Sequence, residues 1–445
     1  MKAEPKKGLG PAFANIFTAN LASSLGDGIA RIAAPLLAAR LTDDALLVAG
    51  IGAFALLPWL FFAIPAGILI DRIDRRVALA LANGVRTILA VALVVLVATE
   101  SLTIWWLYIV IFVYGTFETV YDGAIRAIVP SIVGRSNLPR ANSRIEGGEL
   151  VVQNFVSQPF TSLLFAVSVL IPLGVNAFVF AGVVVLAFFL PKAASGQQYT
   201  NVSTEPRIAW YRQFVDGYRF IMANRMLKIL WFFSTTLGIF TTAATASFVL
   251  FILDRLGVPE AFFGIFLLSG AIGGILGSVI ANRLKAAWGT GLTMAVMSLL
   301  SGLALLFIGL LPVVWAAALG FAVSSGAITI WNILVMSLRQ SVIPGRLLGR
   351  VHGTWRTLLW GAMPFGAVIG GFIGRVDLAL PMVIGGAVTA VATLLFFRFL
   401  LTLPNPEDID NGDPATDPST DPGAPDPSTD PAPTDPAPTD PNIVD

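Results

Sequence analysis

Twelve stretches of about 20 apolar residues, each long enough to cross a bilayer, constrain this chain more than any other feature. They cover residues 12–39, 45–70, 77–98, 102–127, 147–168, 170–190, 227–252, 261–283, 290–311, 313–337, 354–374 and 379–401. Unpaired peptide groups are not tolerated in hydrocarbon, so stretches of this length are helices, and none carries the alternation of a barrel strand. Of the 445 residues 56% are hydrophobic and 12% charged, about half the charged share of a soluble domain. The fold class is an all-α polytopic membrane protein.

Basic residues orient the helices. Lys2, Lys6 and Lys7, then Arg72, Arg75 and Arg76, Arg135, Arg140 and Arg144, the cluster from Lys192 to Lys228, Arg283 and Lys285, and Arg339, Arg346 and Arg350 fall on one side. The other side offers little beyond Arg40, Arg255 and Arg375. The positive-inside rule then expects both termini in the cytoplasm and the chain in the inner membrane. The net charge of +1 hides this segregation, since eleven of the 27 acids lie beyond Pro404 with no Lys or Arg among them. Nothing in the basic excess suggests nucleic acid. The absence of cysteine excludes disulfides and thiolate metal sites. The start, MKAEPKKGLG, lacks a small-residue cleavage site and reads as a basic lead into the first span.

The connection between spans 6 and 7 is far longer than most others, and the chain divides there. The expected units are a six-helix half over 1–190, a cytoplasmic linker over 191–226, a second six-helix half over 227–402 and a disordered tail over 403–445. The linker ends in IAWYRQFVDGYRFIMANRMLK, whose aromatic and basic residues suit a helix lying on the membrane surface. The tail repeats Asp, Pro, Thr and Ser, which cannot bury apolar surface. A weak internal echo relates the halves, as in duplicated transporters. Arg135, Arg140 and Arg144 lead into a span broken at Pro159, and Arg346, Arg350 and Arg356 into one broken at Pro364.

Charge concentrates in two places. Between spans 2 and 3, GILIDRIDRR puts Asp71, Arg72, Asp74, Arg75 and Arg76 on a turn at the water boundary, after Gly67, which lets two helices approach closely. Acids and bases there can pair in one conformation and release in another. The second concentration is inside the membrane, where each ionisable group costs roughly 2.5 to 3.5 kcal/mol on insertion scales. Span 1 carries Asp27 and Arg31, four residues apart on one face; span 3 carries Arg86; span 4 carries Glu118 and Asp122. Asp27 and Glu118 sit at similar depths, roughly 15 to 20 Å from the cytoplasmic ends of their spans. Two carboxyls at one depth on different helices fit a site exchanging protons for solute, since burial favours the neutral acid and a neighbouring cation the carboxylate.

Arg31 is the obvious partner of Asp27, and that pair reads equally as a satisfied ion pair. Glu118 reads as the protonatable residue or as a structural acceptor, with Arg86 within reach across helices. Asp122, nearer the cytoplasm, suits a partner for Arg75 or Arg76. Glu146 and Glu149 read as helix-capping acids at the start of span 5, and His352 as incidental. Thr236 in span 7, and Thr329, Trp331 and Asn332 in span 10, are expected to line a mostly apolar cavity. No phosphate loop, HExxH or GxSxG sequence is present, so no enzymatic activity, cofactor or metal is expected.

The spacing from Gly67 to Asp71 and Arg72, then Arg75 and Arg76, resembles the loop 2–3 signature of the major facilitator superfamily. The segments ETVYDGAIRAIVPSIVGRSNLPRANSRI and RQSVIPGRLLGRVHGTWRTLLWGAMPFGAVIGG resemble the branch holding the enterobactin exporter and macrolide-efflux-like proteins. The resemblance implies two pseudo-symmetric six-helix halves with spans 1, 4, 7 and 10 lining a central cavity. It also implies a gating latch of Gly67, Asp71, Arg72, Arg75, Arg76 and Asp122. Around Gly277 to Arg283 the second copy of the latch has Ala281 in place of the acid, and span 5 has SQPFTSLL where antiporters often show GPxxGG.

The expected cavity set is Asp27, Arg31, Arg86, Glu118, Thr236, Thr329, Trp331 and Asn332. The expected function is proton-coupled export of a small amphipathic compound such as a drug, antibiotic or siderophore by rocking of the halves. Its partners would be that solute, protons and lipid, with the chain a monomer. The alternatives are an importer or uniporter of a small solute and, in another class, a non-transporting scaffold or receptor using its acidic tail.

Overall fold

A computed structural model describes residues 9–70, 73–134, 137–190, 192–195 and 210–409. Among these, ten helices are long and apolar enough to cross a membrane. One of them, Glu260–Leu310, is two spans: Gly289 takes φ +76°, a conformation open to glycine, and turns the helix back as limbs 260–288 and 290–310. Gly10–Leu41, richer in polar residues, makes the twelfth.

In chain order the spans are Gly10–Leu41, Ala45–Ile70, Arg75–Ala98, Ile104–Ile132, Leu138–Val167, Leu170–Phe188, Arg225–Thr245, the two limbs, Val314–Val342, Gly345–Gly374 and Leu380–Leu401. Side-chain caps set several starts: Asp74 accepts from the Arg76 amide at 2.9 Å before span 3, and Asn224 from the Leu227 amide at 3.0 Å before span 7. Large apolar side chains cover the outside, with Trp315 84% and Phe178 80% exposed, the inverse of a soluble surface and suited to lipid.

Several expected boundaries shift. Span 5 begins at Leu138 rather than near 147, because Pro139 starts a helix that runs straight on from the loop. Glu149 is consequently inside the helix, accepting from Asn20 Nδ2 at 2.9 Å, and does not cap it. The irregularity of span 5 is a π turn at Val151–Val156, just before Pro159. Proline lacks the amide that would close the preceding turn and crowds the carbonyl four residues back, so the ladder widens there. Span 11, by contrast, stays α-helical through Pro364 and begins at Gly345.

Packing distinguishes the two ends of the bundle. At the end bearing residues 42–44, one core joins residues from both parts of the chain, among them Leu36, Val48 and Leu107 with Phe248, Phe251 and Phe266. At the other end the cores are separate, one drawn from Phe13 to Ala194 and one from Ile221 to Leu403. Spans 2 and 11 pack together, as do spans 5 and 8. The helix Trp210–Ala223, expected to lie on the membrane surface, seats one face on span 11: Thr354 Oγ1 donates to the Phe214 carbonyl at 3.2 Å, and Arg350 meets Asp216 at 3.5 Å. After span 12, Asn405 accepts from the Thr290 amide at 2.9 Å and Glu407 meets Lys285 at 2.6 Å, tying the chain to the corner at Gly289.

Candidate functional site

The intramembrane charges pair differently from their sequence spacing. Asp27, on span 1, forms its ion pair with Arg86 of span 3, and Arg31, one turn further along span 1, donates from Nη2 to Glu118 Oε1 at 3.0 Å. Residues four apart on a helix lie close on one face, but their side chains have turned to different neighbours. The expected pairs Asp27 with Arg31 and Glu118 with Arg86 are replaced by this crossed arrangement.

The two pairs occupy different surroundings. Arg86 is 0% and Asp27 4% exposed. Ser23 and Asn83 accept from Arg86 Nη1 at 3.2 and 3.4 Å, and the rings of Phe180 and Tyr114 lie 4.5 and 4.7 Å from its guanidinium carbon. This is a sealed polar knot. Arg31 and Glu118 instead line a cavity of about 650 Å³ together with Tyr114, Asp122, Arg356 and Trp360. The Arg31 side chain is 61% exposed, so this pair faces open space.

Asp27 and Glu118 therefore do not share a chamber, because the Tyr114 ring stands between knot and cavity. Tyr114 lines the cavity and donates its hydroxyl to Asp27 Oδ1 at 2.7 Å, the contact linking the two. Sequence reasoning passed over Tyr114, although its position four residues before Glu118 on span 4 was a signal.

Asp122 also lines the cavity and, among the described residues, makes no ion pair, so the expected latch pairing is absent. Arg75 donates to the Ala127 carbonyl at 2.7 Å, and Arg76 pairs with Asp74 at 2.7 Å. Hydrogen bonding to Arg76 holds the Asp74 carboxyl below the ordinary carboxylate range. Gly67 is exposed, and a Cβ there would meet nothing within 4 Å, so it does not mark a close helix crossing. Asp71 and Arg72 lie outside the described residues, as do Arg135 and the tail beyond residue 409.

A second cavity, of about 490 Å³, adjoins the first and shares Thr242, Arg356 and Trp360 with it. Trp331 and Asn332 line it, with Arg339, His352 and Trp355. Thr236 and Thr329 line neither cavity and return their hydroxyls to the Phe232 and Ser325 carbonyls, each at 2.9 Å. The cavity takes residues 234, 237, 238, 241 and 242 of span 7, and 236 falls on the opposite face at 100° per residue. Arg339 and His352, taken from sequence as an orienting charge and an incidental group, are in the wall.

A family model described as transmembrane secretion effector, MFS_3, matches residues 9–422. The chain belongs to that family. As a secretion effector of the major facilitator type it resembles the enterobactin exporter EntS of Shigella boydii and of Escherichia coli, each 24% identical over 358 residues, covering 78% of this chain and 81% of the relative. Solved structures of like fold include the nucleoside transporter NupG and a bacterial homologue of the iron transporter ferroportin in an inward-facing state. Each has a TM-score of 0.69 at 15% identity and covers 88% of this chain and 100% of its own. The protein is a multi-pass membrane transporter of an efflux-type family.

Proposed function

We propose that the protein exports a small amphipathic compound across the cytoplasmic membrane in exchange for protons, by alternating access. The observation that carries this is the Arg31–Glu118 pair in the cavity wall with Asp122 beside it, which among the described residues has no ion pair of its own. Such a pair can exchange its partners: a proton on Glu118 frees Arg31, and loss of the proton restores the bond. Asp27 and Arg86 hold spans 1 and 3 together behind Tyr114. The positive-inside distribution supports cytoplasmic termini; on that orientation the sealed end bearing residues 42–44 is the outer one and this conformation is inward-facing. Export direction is supported by the exporter relatives. Import is the rival reading, since the shared fold does not itself set direction.

Inverted membrane vesicles with an acid interior test the coupling. A panel of fluorescent amphipathic dyes of different charge should accumulate when the gradient is imposed. Glu118→Gln should lower gradient-driven uptake at least about tenfold, a typical loss for a positioned proton-transfer group, while solute exchange without a gradient continues. Uptake indifferent to the gradient, or unchanged in Glu118→Gln, would remove proton coupling.

A further inference from the structure

The second cavity collects the basic side chains of Arg339, His352 and Arg356 and the indoles of Trp331, Trp355 and Trp360, and among the described residues its wall contains no Asp or Glu. Arg339 decides what such a wall is for. It is 7% exposed, its guanidinium carbon lies 4.7 Å from the Trp355 ring centre, Nη2 reaches the Met336 sulfur at 3.3 Å, and Nε has no hydrogen-bond partner among the described residues.

A guanidinium offers five donors in a planar fork suited to a carboxylate, and burying one without an anion is costly. The indole face offsets part of that cost but leaves the fork unfilled. Arg356 repeats the arrangement nearer the centre. It lies 4.8 Å from Trp59 and 4.3 Å from Trp360 and, among the described residues, makes no ion pair. It also borders the first cavity, where Glu118 is engaged by Arg31 and Asp122 lines the wall.

Resting on the reading of these cavities as the transport path, we propose that this wall is a subsite for an organic anion, a planar aromatic carboxylate or similar acid. Arg339 and Arg356 hold the charge while the ring lies against the indoles. The carboxylates of the first cavity and the cations of the second then form a polarised path in which an amphipathic anion is drawn to the second half of the chain.

The test is equilibrium binding to the full chain in phosphatidylcholine nanodiscs by titration calorimetry, with empty nanodiscs subtracted. The probes are 2-naphthoate, 2-naphthalenemethanol and 2-naphthylmethylammonium, which share a ring and differ in charge. The naphthoate should bind about tenfold more tightly than the alcohol, and the ammonium least, as expected for a charge-assisted hydrogen bond. Arg339→Gln and Arg356→Gln should each weaken the naphthoate by about tenfold and leave the alcohol nearly unchanged.

Equal affinity for acid and alcohol, or equal loss of both in the variants, would overturn the subsite. If Arg339→Gln does not fold, the probe ranking in the unaltered protein and Arg356→Gln decide. Phosphatidylglycerol that displaces the naphthoate would assign the cations to a lipid headgroup and overturn the solute subsite. No gradient is present in this assay, so charge-selective binding survives a failure of proton coupling, and a loss of selectivity leaves coupling standing.

Discussion

Arg31 and Arg86 are both arginines facing a carboxylate in the membrane, yet their substitution should have different consequences. Arg86 is wholly enclosed with Asp27, and Arg86→Met would strand a buried carboxylate. That should destabilise the protein by about 3 to 5 kcal/mol, and pairing it with Asp27→Asn should recover most of the loss. Thermal unfolding of the purified protein in detergent checks both, and a double variant no more stable than Arg86→Met would refute the isolated-pair account. Arg31 lines the cavity with its side chain 61% exposed, so Arg31→Gln should cost less stability than Arg86→Met in the same assay while impairing transport. Sequence spacing placed Asp27 and Glu118 at similar depths but could not pair the four charges, because two groups on one helical face each have a choice of neighbouring helix. Span packing made that choice, turning Asp27 to span 3 and Arg31 to span 4.

Single helices carry close crossings that charge motifs do not reveal. At Gly264, where span 8 meets span 5, a Cβ would overlap the Gln158 carbonyl. Nearby, Ser162 Oγ donates to the Ala261 carbonyl at 3.1 Å, adding a polar stitch to the same crossing. Gly264→Val should force the two spans apart at the closed end and shift the population toward the opposite conformation. The measurement is cysteine accessibility at a position in that seam, such as Phe263→Cys, which is buried here and should react faster when Gly264→Val is added; unchanged reactivity would refute the steric role. Gly67, the glycine that the sequence did mark, meets open space. A glycine in an apolar run signals permission for a close approach, and whether a neighbour takes it depends on where the partner helix crosses.

Across the whole molecule, one end is closed by a core shared between the two parts of the chain and by two ion pairs. Arg375 meets Asp44 through Nε and Nη2 at 2.7 and 2.6 Å, and Arg40 meets Glu260 through Nε and Nη2 at 3.0 and 2.5 Å. The chain lacks cysteine, so spin labels at Leu69→Cys and Gly349→Cys, on spans 2 and 11 toward the other end, report the opening directly. Asp44→Asn with Glu260→Gln should add a shorter-distance population, since surface pairs bias rather than lock an equilibrium; an unchanged distance distribution would refute that bias. Hydrogen bonding to Arg375 holds the Asp44 carboxyl below the ordinary range. A depressed carboxyl pKa contributes its stabilisation fully above the ordinary value and loses it as pH falls through the depressed one. The Asp44 contribution should therefore be flat from about pH 8 to 5 and decline only in stronger acid, read with the same labels by comparison with Asp44→Asn.

The linear chain was enough to establish twelve helical spans and the superfamily, because hydrocarbon leaves a 20-residue apolar run no other structure and Gly67 to Arg76 is a contiguous motif. It also flagged which charged residues required an account, since each is expensive in lipid. Folding alone decided that Asp27 lies behind Tyr114, that Asp122 faces the first cavity, and that Arg339 and His352 enter the wall of the second. These are matters of rotation about helix axes and of contacts between residues 60 to 331 positions apart, such as Ser23 with Asn83 or Asp44 with Arg375. Periodicity along one helix carries no record of them.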